Sequence, residues 1–357
     1  MTQRPRILVC GWIGSTNRGD DLIAAAVADL IRQEGGDPTV VTIDDTTDRL
    51  HGAPVVVHRR PLDTIGLFRA ARAHDGLVFG GGGLIQDETG PLNLPFHLSR
   101  LLVGRLNRLP WIGLALGVGD VRRRTGRALV RAIMRQSTAL TVRDRGSRQR
   151  LHRLTGTEPV LGIDPVVTIE PTPPAAEPVL AVALRPPNRP DQRRTADTAL
   201  DPSLIDAWAA AIDALAEAHE LDVRFVAWDP HHDTPVHEAV AARLRRPSTL
   251  EEPEADRIIG RMGASTLALT MRYHGAVAAA LTGRPAVVLD YSPKMGDLVA
   301  ETSHRLALVD PGAAAETLID AGHRMLATAP PPGDPRPAER IAANRDAVRR
   351  LIAAAQA

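Results

Sequence analysis

The stretch Ile169-Glu170-Pro171-Thr172-Pro173-Pro174-Ala175-Ala176-Glu177-Pro178 interrupts an otherwise regular chain. Its four prolines fix φ and remove backbone donors, which neither a helix interior nor a central strand tolerates, so it predicts a linker over 169–178. On either side the same unit recurs, made of a short apolar run, a loop and then a segment of helical period. Upstream, strands are expected at 6–11, 39–43, 54–57, 76–80, 111–116, 139–142 and 160–163, with helices at 20–33, 62–73, 94–107 and 125–135. Downstream the pattern restarts, with strands at 179–184, 223–227, 266–270, 286–290 and 306–309 and helices at 204–218, from about Val236, and at 277–281. Strands alternating with helices indicate βαβ units and parallel sheets. The expected organisation is an α/β domain over 1–168, a second over 179–329, and a proline-rich connector with a closing helix over 330–357. Two such doubly wound domains would face a ligand cleft at the carboxyl ends of their sheets.

The length of 357 residues suits two domains of roughly 150 residues each. Lys+Arg is 43 against Asp+Glu 42, so no global charge excess points to nucleic acid. Lys294 is the single lysine beside 42 arginines. An ammonium that survives such a bias is a candidate for a task a guanidinium cannot perform. Fourteen arginines lie between Arg100 and Arg153 against only Asp120 and Asp144, a local excess suited to an anionic membrane surface or to the pyrophosphate of a lipid-linked or nucleotide-linked sugar. A single aromatic ring, Trp111, lies among them, which makes no nucleic-acid stacking platform. Cys10, the one cysteine, cannot form an intramolecular disulfide. The apolar run Ile7 to Cys10 is too short for a signal peptide and no uncharged run approaches the ~18 residues of a membrane span, so a cytoplasmic protein is expected.

Five loops carry the chemistry. Gly80 to Gly83 follow a strand, and such a run suits close backbone approach to a ligand, as in an anion nest. The loop Gly11 to Asp21 sits where a dinucleotide fingerprint would, but its spacing matches neither G-x-G-x-x-G nor a Walker sequence. It reads as cleft floor or as a hydroxyl-binding loop, with Asp20 or Asp21 at the helix start. Arg185 closes the first strand of the second half and points to an anion at the sheet's carboxyl edge. Met271-Arg272-Tyr273-His274-Gly275 is the densest signal, in which Arg272 offers a fork to a carboxylate or phosphate and His274 stands near a helix N-terminus. The parallel loop after the next strand, Asp290-Tyr291-Ser292-Pro293-Lys294, holds the lone lysine. Asp229-Pro230-His231-His232-Asp233 with His237 could be read as metal ligands, but without cysteine or an H-E-x-x-H pair, capping or acceptor contact is preferred and no metal is expected.

The order of Asn-x-Gly-Asp (Asn17 to Asp20), Gly-Gly-Gly-Gly-Leu-Ile-Gln-Asp (Gly80 to Asp87), Thr-Val-Arg-Asp (Thr141 to Asp144), Asp-Pro-Val (Asp164 to Val166), Arg-Tyr-His (Arg272 to His274) and Tyr-Ser-Pro-Lys (Tyr291 to Lys294) resembles the polysaccharide pyruvyl transferase family over about residues 7 to 310. The resemblance implies two Rossmann-like domains of the glycosyltransferase-B type. It further implies transfer of a pyruvyl group from phosphoenolpyruvate to sugar hydroxyls as a ketal, with phosphoenolpyruvate as co-substrate and no cofactor. It puts Arg272 and His274 on the donor, with Tyr273 where leucine is common, joined by Arg185, and a donor with a carboxylate and a phosphate calls for the further cation that Lys294 supplies. Gly14, Asn17, Asp20, Gly81, Gly82, Gly83, Gln86, Asp87 and Arg143 then fall on the acceptor side or its cleft loops. Asp120, Leu116 and the stretch Glu88 to Asn93 depart from the family's pattern on that same side.

In this scheme His274 is the general acid or base and the cations stabilise the departing phosphate. The acceptor would be a glycan, a lipid-linked sugar or a nucleotide-linked sugar, with peripheral contact to the inner face of a membrane. Two rivals stay open, a glycosyltransferase using a nucleotide sugar and a noncatalytic sugar-binding family member.

Overall fold

The computed structural model describes residues 4–43, 54–57, 64–87, 90, 92–170, 175–186, 201–302, 305–329 and 337–357. Residues 171–174 of the expected linker, 330–336 of the connector, and Glu88, Thr89 and Pro91 lie outside them. The chain divides into two compact units. The first comprises Met1–Ser15, Asp20–Ile169 and Arg336–Ala357, and the second Thr16–Gly19 and Glu170–Pro335.

In the first unit the strands are β1 (Arg6–Cys10), β2 (Asp37–Thr42), β3 (Val55–Val57), β4 (Gly76–Gly80), β5 (Trp111–Leu116), β6 (Ala139–Val142) and β7 (Val160–Leu161). They form one parallel sheet in the order β3-β2-β1-β4-β5-β6-β7, with Leu8 opposite Thr39 on one side and Leu77 on the other. The crossover helices are α1 (Arg18–Gln33), α2 (Thr64–Arg72), α3 (Asn93–Leu106), α4 (Arg124–Met134) and α5 (Arg145–Thr155). Strands covered on both faces read as continuous apolar runs, and β4 and β5 are buried along their whole length. At the end of β5 the register slips against β6, and Ala115 takes a positive φ of 49°. Its freed N–H donates to Thr141 Oγ1 at 2.7 Å.

The second unit has β8 (Val179–Ala183), β9 (Asp222–Val226), β10 (Ser248–Glu251), β11 (Leu267–Thr270), β12 (Ala286–Leu289) and β13 (Leu306–Val309), parallel in the order β10-β9-β8-β11-β12-β13. Its helices are α6 (Pro202–Ala218), α7 (Pro230–Ala241), α8 (Ala255–Gly263), α9 (Tyr273–Leu281), α10 (Pro293–Glu301) and α11 (Ala315–Ala327). Each sheet changes strand order once between neighbours, at β1/β4 and at β8/β11, and ligands of doubly wound sheets bind beyond the carboxyl ends of such a pair. The last helix, α12 (Ala338–Gln356), belongs to the first unit and packs on β4, β5 and β6.

Of the boundaries that differ from expectation, two bear on the site. The helix placed from about Val236 starts at Pro230, because a proline at the first helical position lacks a donor the helix does not use there. The helix expected from Val277 starts at Tyr273, so His274 lies inside its first turn.

Candidate functional site

Three loops at the carboxyl ends of the neighbouring strands β8, β11 and β12 gather the second unit's charged side chains. Arg185 follows β8 by two residues, Arg272 is the N-cap of α9, and Lys294 lies in the first turn of α10. A cation in a helix's first turn opposes the macrodipole, so this placement gains only where negative charge gathers. That charge is close by, since the Tyr291 ring has the Arg185 guanidinium 4.6 Å from its centroid and Lys294 Nζ at 5.1 Å. Burial pushes the Tyr291 phenol upward, but Lys294, Arg185, a hydrogen bond from Lys294 and the more distant Arg272 together bring it down to about 7.

Arg272 is buried, and the Nε and Nη2 edge of its fork is occupied. Nε donates to both carboxylate oxygens of Asp233 at 2.9 Å, Nη2 also donates to Asp233, and Nη2 lies 3.6 Å from Asp229. Asp233 in turn accepts the N–H groups of Trp228 and Asp229, both at 3.0 Å, so it fixes the start of α7 and the guanidinium together. Asp229 also accepts a hydrogen bond from Thr16 Oγ1 and meets His232 Nδ1 at 2.8 Å. Burial raises its carboxyl, but Arg272, Thr16 and His232 outweigh that and hold it below the usual range. His237 accepts the Leu184 N–H on Nε2 at 3.0 Å, and burial, aided by Arg272, lowers its imidazole to about 3. Of the residues considered as metal ligands, Asp229 and Asp233 thus serve as ion-pair partners of Arg272, and His237 serves as a backbone acceptor. Among the described residues no group of three or more His, Cys, Asp or Glu is arranged to hold a metal.

His274 is buried between Trp228, stacked at 6.2 Å, and Tyr273, edge-on at 5.3 Å. A Cβ on Gly19 would collide with its imidazole, so the short segment Thr16–Gly19 packs against it as part of the second unit. Asn17 Oδ1 accepts the Gly19 N–H at 3.2 Å and holds that turn, and the Arg18 N–H donates to the Trp228 carbonyl at 2.7 Å.

The remaining sequence candidates lie in the first unit. Gly81 and Gly82 both take left-handed φ, 74° and 83°, while Gly83 is exposed with open space around it. A Cβ on Gly82 would come 3.0 Å from Asp20 Oδ1. A carboxylate at that distance makes the glycine turn a better partner for a hydroxyl than for an anion. Gly14, also left-handed at 79°, donates its N–H to Asp21 Oδ1 at 3.0 Å. The Gln86 carbonyl accepts from Asn93 Nδ2 at 2.9 Å, and Asp87 accepts the N–H groups of Arg122 and Arg123. Arg143 is buried between Asp144 at 3.4 Å and Asp164 at 3.3 Å, joining two of the motifs read from sequence.

The family model for polysaccharide pyruvyl transferases matches residues 17–293, which spans both halves of this arrangement. The chain belongs to that family. No curated protein sequence matches it. Among solved structures, UDP-GlcNAc 2-epimerase from Methanocaldococcus jannaschii shares 13% identity over 96% of this chain and 97% of that one, at a TM-score of 0.63. The enzyme of the same name from Neisseria meningitidis, bound to UDP-GlcNAc, shares 12% over 96% and 98%, at 0.60. A glycosyltransferase from Rickettsia africae shares 12% over 99% and 94%, at 0.56. These likenesses show the glycosyltransferase-B-like fold of this family member. Among its described residues no helix is long and apolar enough to cross a membrane.

Sequence reasoning selected Arg185, Arg272, Tyr273, His274 and Lys294, gave Tyr291 and Gly19 no role of their own, and weighed Asp233 as metal ligand, cap or acceptor contact rather than as the partner of Arg272. Tyr291 stood in a quoted motif three residues before Lys294. That spacing alone says nothing of a ring held between two cations from different strands.

Proposed function

We propose that this family member transfers the pyruvyl group of phosphoenolpyruvate to two hydroxyls of a sugar, forming a pyruvate ketal on a cell-envelope polysaccharide precursor or related glycoside. The observation that carries the reading is the convergence of Arg185, Arg272 and Lys294 from three neighbouring strand ends on Tyr291, beside His274. A donor with a carboxylate and a phosphate needs such a set of cations. Arg185 and Lys294 bind it directly, while Arg272, two of its nitrogens engaged by Asp233, has Nη1 for the donor.

In the reaction C3 of phosphoenolpyruvate takes a proton, one sugar oxygen bonds to C2, and the C2–O bond to phosphate breaks. A second sugar oxygen then closes the ketal. Of the two hydroxyl protons, one balances the proton gained by C3 and the other leaves with phosphate. His274 moves one proton as general acid or base, and the cations offset the charge gathering on the leaving phosphate. The scheme uses no cofactor and no metal. The acceptor is a free, lipid-linked or nucleotide-linked glycoside, and the exposed arginines around α4 suit contact with an anionic membrane. Co-sedimentation with anionic liposomes that weakens in salt is the expected sign of that contact.

The decisive experiment incubates the protein with phosphoenolpyruvate and a panel of free and lipid-linked glycosides, following phosphate release and product mass. A product heavier by one pyruvyl ketal is expected. A thermal shift with nucleotide sugars and none with phosphoenolpyruvate would instead favour a glycosyltransferase. His274→Ala should keep phosphoenolpyruvate binding and lose turnover by roughly 10²- to 10⁴-fold.

A further inference from the structure

Aromatic residues make up only 3% of the chain, and its four tryptophans are not used alike. Trp111, Trp208 and Trp228 are buried, whereas Trp12 is 39% exposed. Trp12 follows β1, and it meets Phe96 edge-on at 5.6 Å and His97 at 5.8 Å, both near the start of α3, the helix that follows β4. The exposed indole therefore stands at the β1/β4 change of strand order, where a doubly wound sheet receives its ligand. Two aromatic neighbours hold its plane.

Beneath this pair lies a cation that has no counter-ion among the described residues. Arg100 is 0% exposed, its guanidinium sits 3.9 Å from the Phe96 ring centroid, and Nη1 donates to the Phe96 carbonyl at 3.0 Å. Its Nε and Nη2, like His97 Nδ1, are buried and have no hydrogen-bond partner among the described residues. Among the described residues no carboxylate acts on Arg100; burial lowers it to about 10 and the Cys10 thiol raises it. His97 is held neutral, driven to about 3 by burial and by Arg100 itself. A buried charge of this kind is costly unless something of opposite sign offsets it.

We propose that Trp12, braced by Phe96 and His97 over Arg100, is the platform on which the acceptor sugar stacks, and that the sugar it favours carries an anionic substituent. The inference rests on the acceptor half of the proposed transfer and names its subsite and substrate class. The apolar face of a sugar ring lies on the indole. A carboxylate or phosphate on that ring is drawn by the uncompensated guanidinium through low-dielectric surroundings. Arg100 acts as a positioning and field-setting residue rather than a catalytic one.

The test measures binding without phosphoenolpyruvate, so its outcome is separate from that of the transfer assay. Methyl glucoside, methyl glucuronide and glucose 1-phosphate are titrated into the whole protein by calorimetry, with acrylamide quenching of tryptophan fluorescence in parallel. Trp12 is the exposed tryptophan, and a sugar stacked on it should protect it from quencher. Both charged sugars should bind roughly five- to tenfold more tightly than the neutral one. The glucuronide and phosphate arms show which anion is preferred. Trp12→Ala should weaken binding roughly tenfold or more, with Trp12→Phe recovering part of it. Arg100→Met should bring the charged sugars to the level of the neutral one. Equal affinity of the wild-type protein for all three sugars overturns the anionic preference, whether or not the Arg100 variant folds. Unchanged binding in Trp12→Ala, or no binding of any of the three sugars, overturns the platform.

Discussion

Tyr291 is the residue whose chemistry is open to direct observation. The chain has two tyrosines, and the neighbouring cations bring this one to about 7 against 10.0 for an ordinary phenol. Ultraviolet difference titration of the folded protein should show one tyrosine ionising near pH 7, and Tyr291→Phe should remove that step. The linked stability has a definite sign. Between about pH 7 and the ordinary phenol value the unfolded chain holds a proton the folded chain has released, so stability rises with pH there and falls as pH drops through the folded value. At His274 the limiting residue is a glycine. Gly19→Ala adds one methyl where the imidazole stands, and should cost about 1–3 kcal/mol of stability and slow phosphate release while Lys294 and Arg185 still hold the donor. Lys294→Arg keeps the charge but exchanges a compact ammonium for a planar fork. A rise of roughly tenfold in KM for phosphoenolpyruvate is expected, and full activity would remove any special role for the lone lysine.

Among the elements, α7 and α12 had their roles hidden for opposite reasons. The sequence places the helix from about Val236, yet Pro230 occupies its first position and the helix continues past Pro235. Asp233 anchors that start and the Arg272 fork at once, a role carried by no local pattern. Asp233→Asn leaves a buried guanidinium short of its counter-ion, and a loss of about 3 kcal/mol in urea unfolding is expected. The stripe Ala347, Val348, Leu351 and Ile352 does announce α12 as amphipathic, but a stripe cannot name the sheet it covers. Asn344 settles this, joining the Thr141 hydroxyl at 2.9 Å and the Ile163 carbonyl at 2.7 Å. Leu351→Ala should cost about 2–5 kcal/mol and act on the first unit. Strands β4, β5 and β6 coincide with their expected bounds because buried parallel strands read as apolar runs. The edge strand β10, Ser-Thr-Leu-Glu and half exposed, offers no such run.

At the scale of the whole molecule, both doubly wound units were legible from the rhythm of runs and loops, and so were the strand ends that bear Arg185, Arg272 and Lys294. What the rhythm cannot reveal is which side chains neutralise one another across strands, as Asp233 does Arg272 and as Asp144 and Asp164 do Arg143. Nor does it show that the first unit is built from separated pieces of chain. A fragment of residues 1–169 should therefore unfold without a cooperative transition and gain one when a peptide of residues 338–357 is added. A sharp transition in the fragment alone would contradict this assignment of α12.

That same return of α12 has a consequence for how the protein is made. The strands β4, β5 and β6 are synthesised early, but the ribosome must continue from Ile169 to Ala338 before the helix that covers them begins. At roughly 5–20 residues per second this is on the order of ten to thirty seconds during which an apolar sheet face stays bare in a nascent chain. The second unit, whose segments are nearly all complete by then, can fold before the first is closed. Slowed translation in that interval, or scarce chaperone, should thus show first as aggregation of the half that was synthesised first.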